Sequence, residues 1–168
     1  MESGARYSAA ILTVSTKGAR GERDDESGRI AHDLLEANGF DVGARLVVTD
    51  DRGEIAAVLR RWCDEDGYAL IVTTGGTGLS PRDVTPEATA DVIERPVPGL
   101  PEMMRALTLQ KTPTAALSRA TAGTRGRALI VNLPGSPKGV RECLDALLPV
   151  LPHALAILRG DSGEHKPS

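Results

Sequence analysis

An apolar run, Ala69-Leu70-Ile71-Val72, opens directly into Thr73-Thr74-Gly75-Gly76-Thr77-Gly78-Leu79-Ser80-Pro81-Arg82-Asp83-Val84-Thr85-Pro86-Glu87. The run reads as a buried strand. The end of the stretch reads as a helix start, with Thr85 as N-cap, Pro86 at the first helical position and Glu87 in the first turn, where the dipole favours an anion. A glycine-rich loop between a buried strand and a helix belongs to an open α/β sheet, whose ligands sit at the carboxyl ends of the strands. Gly75, Gly76 and Gly78 let a ligand approach successive backbone N–H groups, which form an anion nest. Thr74, Thr77 and Ser80 add hydroxyl donors, and Arg82 a fork suited to phosphate. Asp83 is out of place beside phosphate unless a metal ion or proton transfer employs it. The loop therefore suggests a phosphate ligand with Mg²⁺, and group transfer. It is not a P-loop, because no lysine follows the glycines, and Gly76-Thr77-Gly78 lacks the third glycine of a dinucleotide fingerprint.

The rest of the chain supplies the sheet. Residues 7–15 read as a first strand, followed by a polar loop over 16–26 whose place after a strand suits a ligand wall, though composition alone favours a mobile surface loop. A helix is expected over 27–38, with Ile30, Ala31, Leu34 and Leu35 at helical spacing and Gly39 as its stop. A second strand over 42–49 ends at Asp50 and Asp51. Asp51 with Glu54 resembles a capping box, which leaves Asp50 at the same sheet edge as the glycine loop. Ile55, Val58, Leu59 and Trp62 mark the next helix. Beyond the loop, helices are expected over 86–94 and 100–111, broken by Arg95-Pro96-Val97-Pro98-Gly99. Glu102 and Arg105 share a face of the second, at a spacing that allows them to pair. A short strand over 114–118, a loop or hairpin over 119–126 and a buried strand over 128–133 follow. Ser136 and Pro137 then start a helix, and a last helix precedes a polar tail. Alternation of this kind implies a three-layer α/β/α sandwich, a mostly parallel sheet with helices on both faces and room for an antiparallel edge strand or hairpin. The expected organisation is one domain over 1–168, with flexible ends about 1–6 and 160–168.

Net charge is −3, so no basic field recruits nucleic acid. The aromatics, Tyr7, Phe40, Trp62 and Tyr68, are too few for stacking platforms. Cys63 and Cys143 read as buried thiols, and with His32, His153 and His165 make no zinc-type cluster. There is no signal-peptide pattern and no apolar run of membrane-spanning length, so the expectation is a cytoplasmic protein without a membrane partner.

Residues 73–89 closely resemble the signature of the molybdenum-cofactor biosynthesis proteins of the MogA/MoaB type, the molybdopterin adenylyltransferases. Asp25-Glu26-Ser27-Gly28, the acidic end of the second strand at Asp50, Pro98-Gly99 with Glu102 and Arg105, Leu117-Ser118-Arg119, and Asn132-Leu133-Pro134-Gly135-Ser136-Pro137-Lys138 extend the resemblance across the chain. One departure lies at Ser15-Thr16-Lys17-Gly18, where many members carry Ser-Asp-Arg/Ser. The resemblance implies transfer of AMP from Mg-ATP to the terminal phosphate of molybdopterin, with release of pyrophosphate. It implies Asp50 and Asp83 as catalytic groups or Mg²⁺ ligands. Thr74, Gly75, Gly76, Thr77, Gly78, Pro134, Gly135 and Ser136 would hold nucleotide and phosphate. Ser15, Arg82, Glu102, Arg105, Ser118 and Arg119 would hold molybdopterin. It also implies a homotrimer, or a hexamer of trimers, and a molybdenum-insertion protein as a downstream partner. A non-catalytic molybdopterin-binding or scaffold module of the same fold is the alternative.

Overall fold

The structure, a computed structural model, describes residues 6–161, so expectations for 1–5 and 162–168 lie outside the described residues. Six strands form one sheet in the order β2-β1-β3-β6-β5-β4. They are β1 Tyr7–Val14, β2 Phe40–Val48, β3 Leu70–Thr74, β4 Arg95–Pro96, β5 Ala122–Arg125 and β6 Ala128–Leu133. β1 pairs in parallel with β2 and β3, and β3 with β6; β5 and β4 add antiparallel to the β6 side. The helices are α1 Thr16–Ala19, α2 Glu26–Ala37, α3 Arg52–Asp64, α4 Thr85–Ala90, α5 Gly99–Leu109, α6 Pro137–Leu147 and α7 Leu151–Arg159. This is the α/β sandwich expected, with its antiparallel edge.

The central strands are apolar on both faces because helices cover both. Along β1, Ala9 and Ile11 face a core shared with α2, α5, α6 and α7, while Ala10, Leu12 and Val14 face α3 and α4. β3 and β6 alternate likewise: Leu70, Val72, Leu129 and Val131 point to the first core, Ile71 and Ile130 to the second. β2 lies at the edge, so its exposure alternates along its length and its sequence carries Asp41 and Arg45. Arg6, at one end of the described chain, takes the Phe40 carbonyl at 2.7 Å and pairs with Asp41 at 2.6 Å. Glu36 accepts from the Val42 N–H at 3.0 Å. The opposite edge is β4, two residues long with a proline.

Several local expectations need correction. Residues 114–118 are not a strand. Pro113–Leu117 is a 3-10 turn, begun by a proline whose fixed φ suits a tight helical start. The helix after the glycine loop ends at Ala90 rather than near 94, because Glu94 N–H has turned to bond Thr124 O and begin β4. Arg95 and Pro96, read as a break, pair with β5. The polar loop after β1 contains the short α1, capped by Ser15 Oγ accepting from Gly18 N–H at 3.0 Å. Asp51 caps α3 by accepting from Glu54 N–H at 2.8 Å, but Glu54 Oε2 bonds Thr49 Oγ1 instead of completing a capping box. Ser136 caps α6 as expected, accepting from Gly139 N–H at 3.0 Å.

Candidate active site

The chain leaves β1 toward β2 on one side and β3 on the other, so the strand order reverses at β1. Open α/β sheets hold ligands at such a switch point, beyond the carboxyl ends of the strands. A cleft of about 580 Å³ lies there, lined by the end of β1, the loop after it, Asp50, the β3–α4 loop and Gly135-Ser136.

The glycines shape this wall. Gly75 has φ +97°, and a Cβ there would lie 2.4 Å from the Val14 carbonyl oxygen. Gly76 has φ +71°, and its Cβ would fall 2.2 Å from Thr85 Oγ1. Both positions therefore demand glycine, for conformation and for space. Thr85 is not the N-cap, which is Val84 with no side-chain bond. Its hydroxyl donates to Gly75 O at 2.9 Å and its N–H to Gly76 O at 3.1 Å, so it pins the cradle from behind. Thr85 O in turn accepts from Thr89 Oγ1 at 2.8 Å, and Thr89 Oγ1 accepts from Asn132 Nδ2 at 2.9 Å. Asn132 also donates to Thr73 Oγ1 at 3.0 Å and accepts from Thr121 N–H at 3.1 Å. The asparagine is fully buried. It ties β6, β3, α4 and the segment before β5 into one polar network behind the glycines.

Asp50 and Asp83 both line this cleft. Asp50 Oδ2 accepts from Thr16 Oγ1 at 2.8 Å and Thr16 N–H at 3.2 Å, while Asp50 N–H donates back to Thr16 Oγ1 at 3.1 Å. Thr16, the departure from the family pattern, thus latches the first loop to the end of β2. Asp83 Oδ2 accepts from Ser80 N–H at 3.1 Å, closing the turn that presents the carboxylate. Ser15, Arg82, Gly75, Gly76, Gly135 and Ser136 line the same cleft. Lys17 and Arg23 join them, and sequence reasoning missed both. The available signal was a long charged loop directly after a strand, which composition alone does not separate from ordinary surface.

A second cleft, about 280 Å³, adjoins the first at Ser136. Thr77 and Gly78 open into it, together with Arg105, Ser118 and Pro134. Arg105 Nη1 donates to the carbonyls of Ser118 at 3.3 Å and Ala120 at 3.1 Å, which fixes α5 against this segment. Burial pushes the Cys143 thiol, on the α6 wall, up to about 11, so it is a packed thiol and not a nucleophile.

Of the expected ligand contacts, Thr74 lines the first cleft with its hydroxyl already engaged, and Glu102 and Arg119 lie outside both clefts. Thr74 is buried and its hydroxyl donates to Pro134 O at 2.7 Å, so it braces one loop on the other. Glu102 is exposed, lines neither cleft, and makes no pair with Arg105. Arg119 also lines neither. It donates to Gly78 O at 2.8 Å and Asp83 O at 2.7 Å, and its Nη1 meets Glu87. The Arg119 hydrogen bond holds the Glu87 carboxyl below its usual range. Arg119 is thus a clamp that joins both limbs of the glycine loop to α4. An arginine beside a glycine motif reads as a ligand contact, and carbonyl acceptors carry no sequence signal.

Fold and site define an α/β protein with a glycine-walled cleft at its switch point and an adjoining, more apolar slot; the Gly75 N–H, expected in an anion nest, instead donates to Leu133 O at 3.3 Å. The family model described as "probable molybdopterin binding domain" matches residues 10–153, and the chain belongs to that family. The molybdopterin adenylyltransferase of Helicobacter pylori (strain J99) is 41% identical over 154 residues, covering 90% of this chain and 87% of that one. Among solved structures, the molybdopterin biosynthesis enzyme MoaB of Thermus thermophilus superposes with a TM-score of 0.87 at 56% identity, covering 92% of this chain and 97% of that one. The Mog protein of Mycobacterium ulcerans gives a TM-score of 0.85 at 44% identity, with coverage of 90% and 99%.

Proposed function

We propose that the chain is a molybdopterin adenylyltransferase. It transfers AMP from Mg-ATP to the terminal phosphate of molybdopterin. An oxygen of that phosphate attacks the α-phosphorus of ATP, the bond to the β-phosphate oxygen breaks, and pyrophosphate leaves. The observation that carries the reading is the glycine cradle at the switch point, faced by Asp50 and Asp83 among five acidic residues and joined at Ser136 to a second cleft. Two reactants need two adjoining sites, and the reaction needs them held in line.

The donor set suits magnesium. Among the described residues no group of three or more His, Cys, Asp or Glu gathers to hold a metal alone. Mg²⁺ with nucleotides takes one or two carboxylates and completes its shell with phosphate oxygens and water. Asp50 and Asp83 would hold it, and it would supply charge neutralisation on the departing pyrophosphate. The chain's own groups do the rest. The Gly76 N–H and Ser136 position the polyphosphate, Gly75 sets the turn that presents Gly76, and Lys17, Arg23 and Arg82 lend positive charge.

The test is pyrophosphate release. Wild-type protein should release it with Mg-ATP and molybdopterin together, and not with either alone. Asp83→Ala should keep the wild-type melting profile and lose about a hundredfold or more in turnover. Near-normal turnover would remove Asp83 from the chemistry, and no release by the wild type would leave a binding or scaffold module.

The resemblance also supports a cytoplasmic homotrimer, or a hexamer of trimers, that passes its product to a molybdenum-insertion protein. Leu79, Leu107, Leu109 and Leu117 are exposed in one described chain, which suits burial between subunits. The expected solution mass is three or six times the 17.7 kDa of one chain, and a monomer by light scattering would sink that expectation.

A further inference from the structure

The two carboxylates facing the glycines are presented in the same way. Asp50 Oδ2 accepts from Thr16 Oγ1 at 2.8 Å and from Thr16 N–H at 3.2 Å, and Asp83 Oδ2 accepts from Ser80 N–H at 3.1 Å. Among the described residues neither Oδ1 has a hydrogen-bond or ion-pair partner. Each carboxylate therefore has one oxygen held by the protein and one left over. The holding groups differ. Ser80 gives a backbone N–H, which does not depend on its side chain. Thr16 gives a hydroxyl as well, and that hydroxyl also accepts from the Asp50 N–H at 3.1 Å. One side chain thus grips Asp50 by both its backbone and its carboxylate, and fixes which oxygen is taken.

Which cation such a pair suits depends on how many oxygens each carboxylate gives. Mg²⁺ is small, demands a near-ideal octahedron and fills most of it with water and phosphate oxygens. Ca²⁺ is larger, gathers about six to eight oxygens, and readily takes both oxygens of one carboxylate. A carboxylate whose second oxygen already accepts a hydroxyl and an N–H resists that two-oxygen grip, because its lone pairs there are engaged. We infer that Thr16 makes Asp50 a one-oxygen ligand and so sets the preference of the nucleotide-loaded cleft for Mg²⁺ over Ca²⁺. Thr16 acts through Asp50, as a positioning residue. The inference rests on the reading of the cleft as a Mg-nucleotide site and names the residue that selects its metal. Nothing local in the sequence marks the latch, since the threonine and its carboxylate lie 34 residues apart.

The experiment is a calorimetric titration of the purified protein with ATP in EDTA, in Mg²⁺ and in Ca²⁺, without molybdopterin. For the wild type, Mg²⁺ should tighten ATP binding about tenfold over EDTA, and Ca²⁺ should tighten it much less. Thr16→Val keeps the branched shape and removes the hydroxyl. It should narrow the gap between Mg²⁺ and Ca²⁺ by about fivefold while its affinity in EDTA stays that of the wild type. Thr16→Ala should do the same, and Thr16→Ser, which keeps the hydroxyl, should restore the gap. Equal gains from the two cations in the wild type, a gap that survives in Thr16→Val and Thr16→Ala, or a gap lost in Thr16→Ser would each overturn the inference. So would an equal fall in all three buffers, which would mean that Thr16 only supports its loop. Turnover does not enter the titration. A lost gap between the cations leaves adenylyl transfer in place, whereas no ATP binding in any buffer would sink the nucleotide reading and this inference with it.

Discussion

Gly75→Ala should abolish most of the activity while the protein still folds. The alanine must hold φ near +97°, a left-handed conformation that costs an L-residue about 1–2 kcal/mol. Its Cβ meets the Val14 carbonyl oxygen at 2.4 Å. That oxygen belongs to the backbone of β1 and cannot swing aside as a flexible side chain would. The loop must therefore lift off the end of β1, carrying Gly76 with it. Displacing a reacting phosphate by about 1 Å costs on the order of a hundredfold. The expected result is at least that loss in kcat/KM for pyrophosphate release, with a modest drop in melting temperature. Gly67→Ala is the control. Gly67 also has positive φ, +70°, but its Cβ would meet nothing within 4 Å, and it lies at the opposite end of β3. It should show a similar backbone cost and normal turnover. Equal turnover in the two variants would show that the cradle is not where the phosphates sit.

The largest loss of stability is expected from Asn132→Ala. The substitution leaves Thr73 Oγ1 and Thr89 Oγ1 without their donor and Thr121 N–H without its acceptor. Thr73 and Thr89 are fully buried, so water cannot easily replace the amide. Buried groups stripped of a partner cost about 1–3 kcal/mol each, and incomplete relaxation puts the sum at about 3 kcal/mol. Denaturant unfolding should show this as a lower midpoint with an unchanged slope. Asn132→Leu, closer in volume, should recover little, because the lost quantity is polar satisfaction and not packing. A change under about 0.5 kcal/mol in both variants would mean that the network is dispensable.

These two residues illustrate what could be read from the chain before its fold was known. Gly75 was legible because glycines between a buried strand and a helix have few other uses. β1, β3 and β6 were legible for a related reason: strands covered on both faces are written as continuous apolar runs. Ser136 and Asp51 obeyed local capping rules, since a cap is made within one turn of its own helix. Asn132 was visible only as part of a recognised string, and nothing local said that its amide would join four segments. Thr85 satisfied the pattern of an N-cap so well that its true bond, to a carbonyl ten residues earlier, was hidden. Arg119, Thr74 and Glu102 share one difficulty. Whether a polar side chain faces a ligand, a backbone carbonyl or water depends on tertiary neighbours. The 3-10 turn at 113–117 and the two-residue β4 are set by pairing and packing at long range, where single-sequence propensity is weak.

The two flanks of the sheet also bear on how the protein behaves at high concentration. An unpaired strand is a template on which another chain can grow an intermolecular ladder, the first step of ordered aggregation. β4 denies that route by brevity and by Pro96, whose nitrogen has no hydrogen to offer. β2 is nine residues long and would be the vulnerable flank, yet Arg6 and Glu36 already occupy its Phe40 carbonyl and Val42 N–H. Asp41 pairs with Arg6 between them, and Arg45 folds onto Asp25 at 3.2 Å. An incoming strand would have to break these ion pairs to gain backbone bonds at Phe40 and Val42, so the start of β2 is guarded against extension.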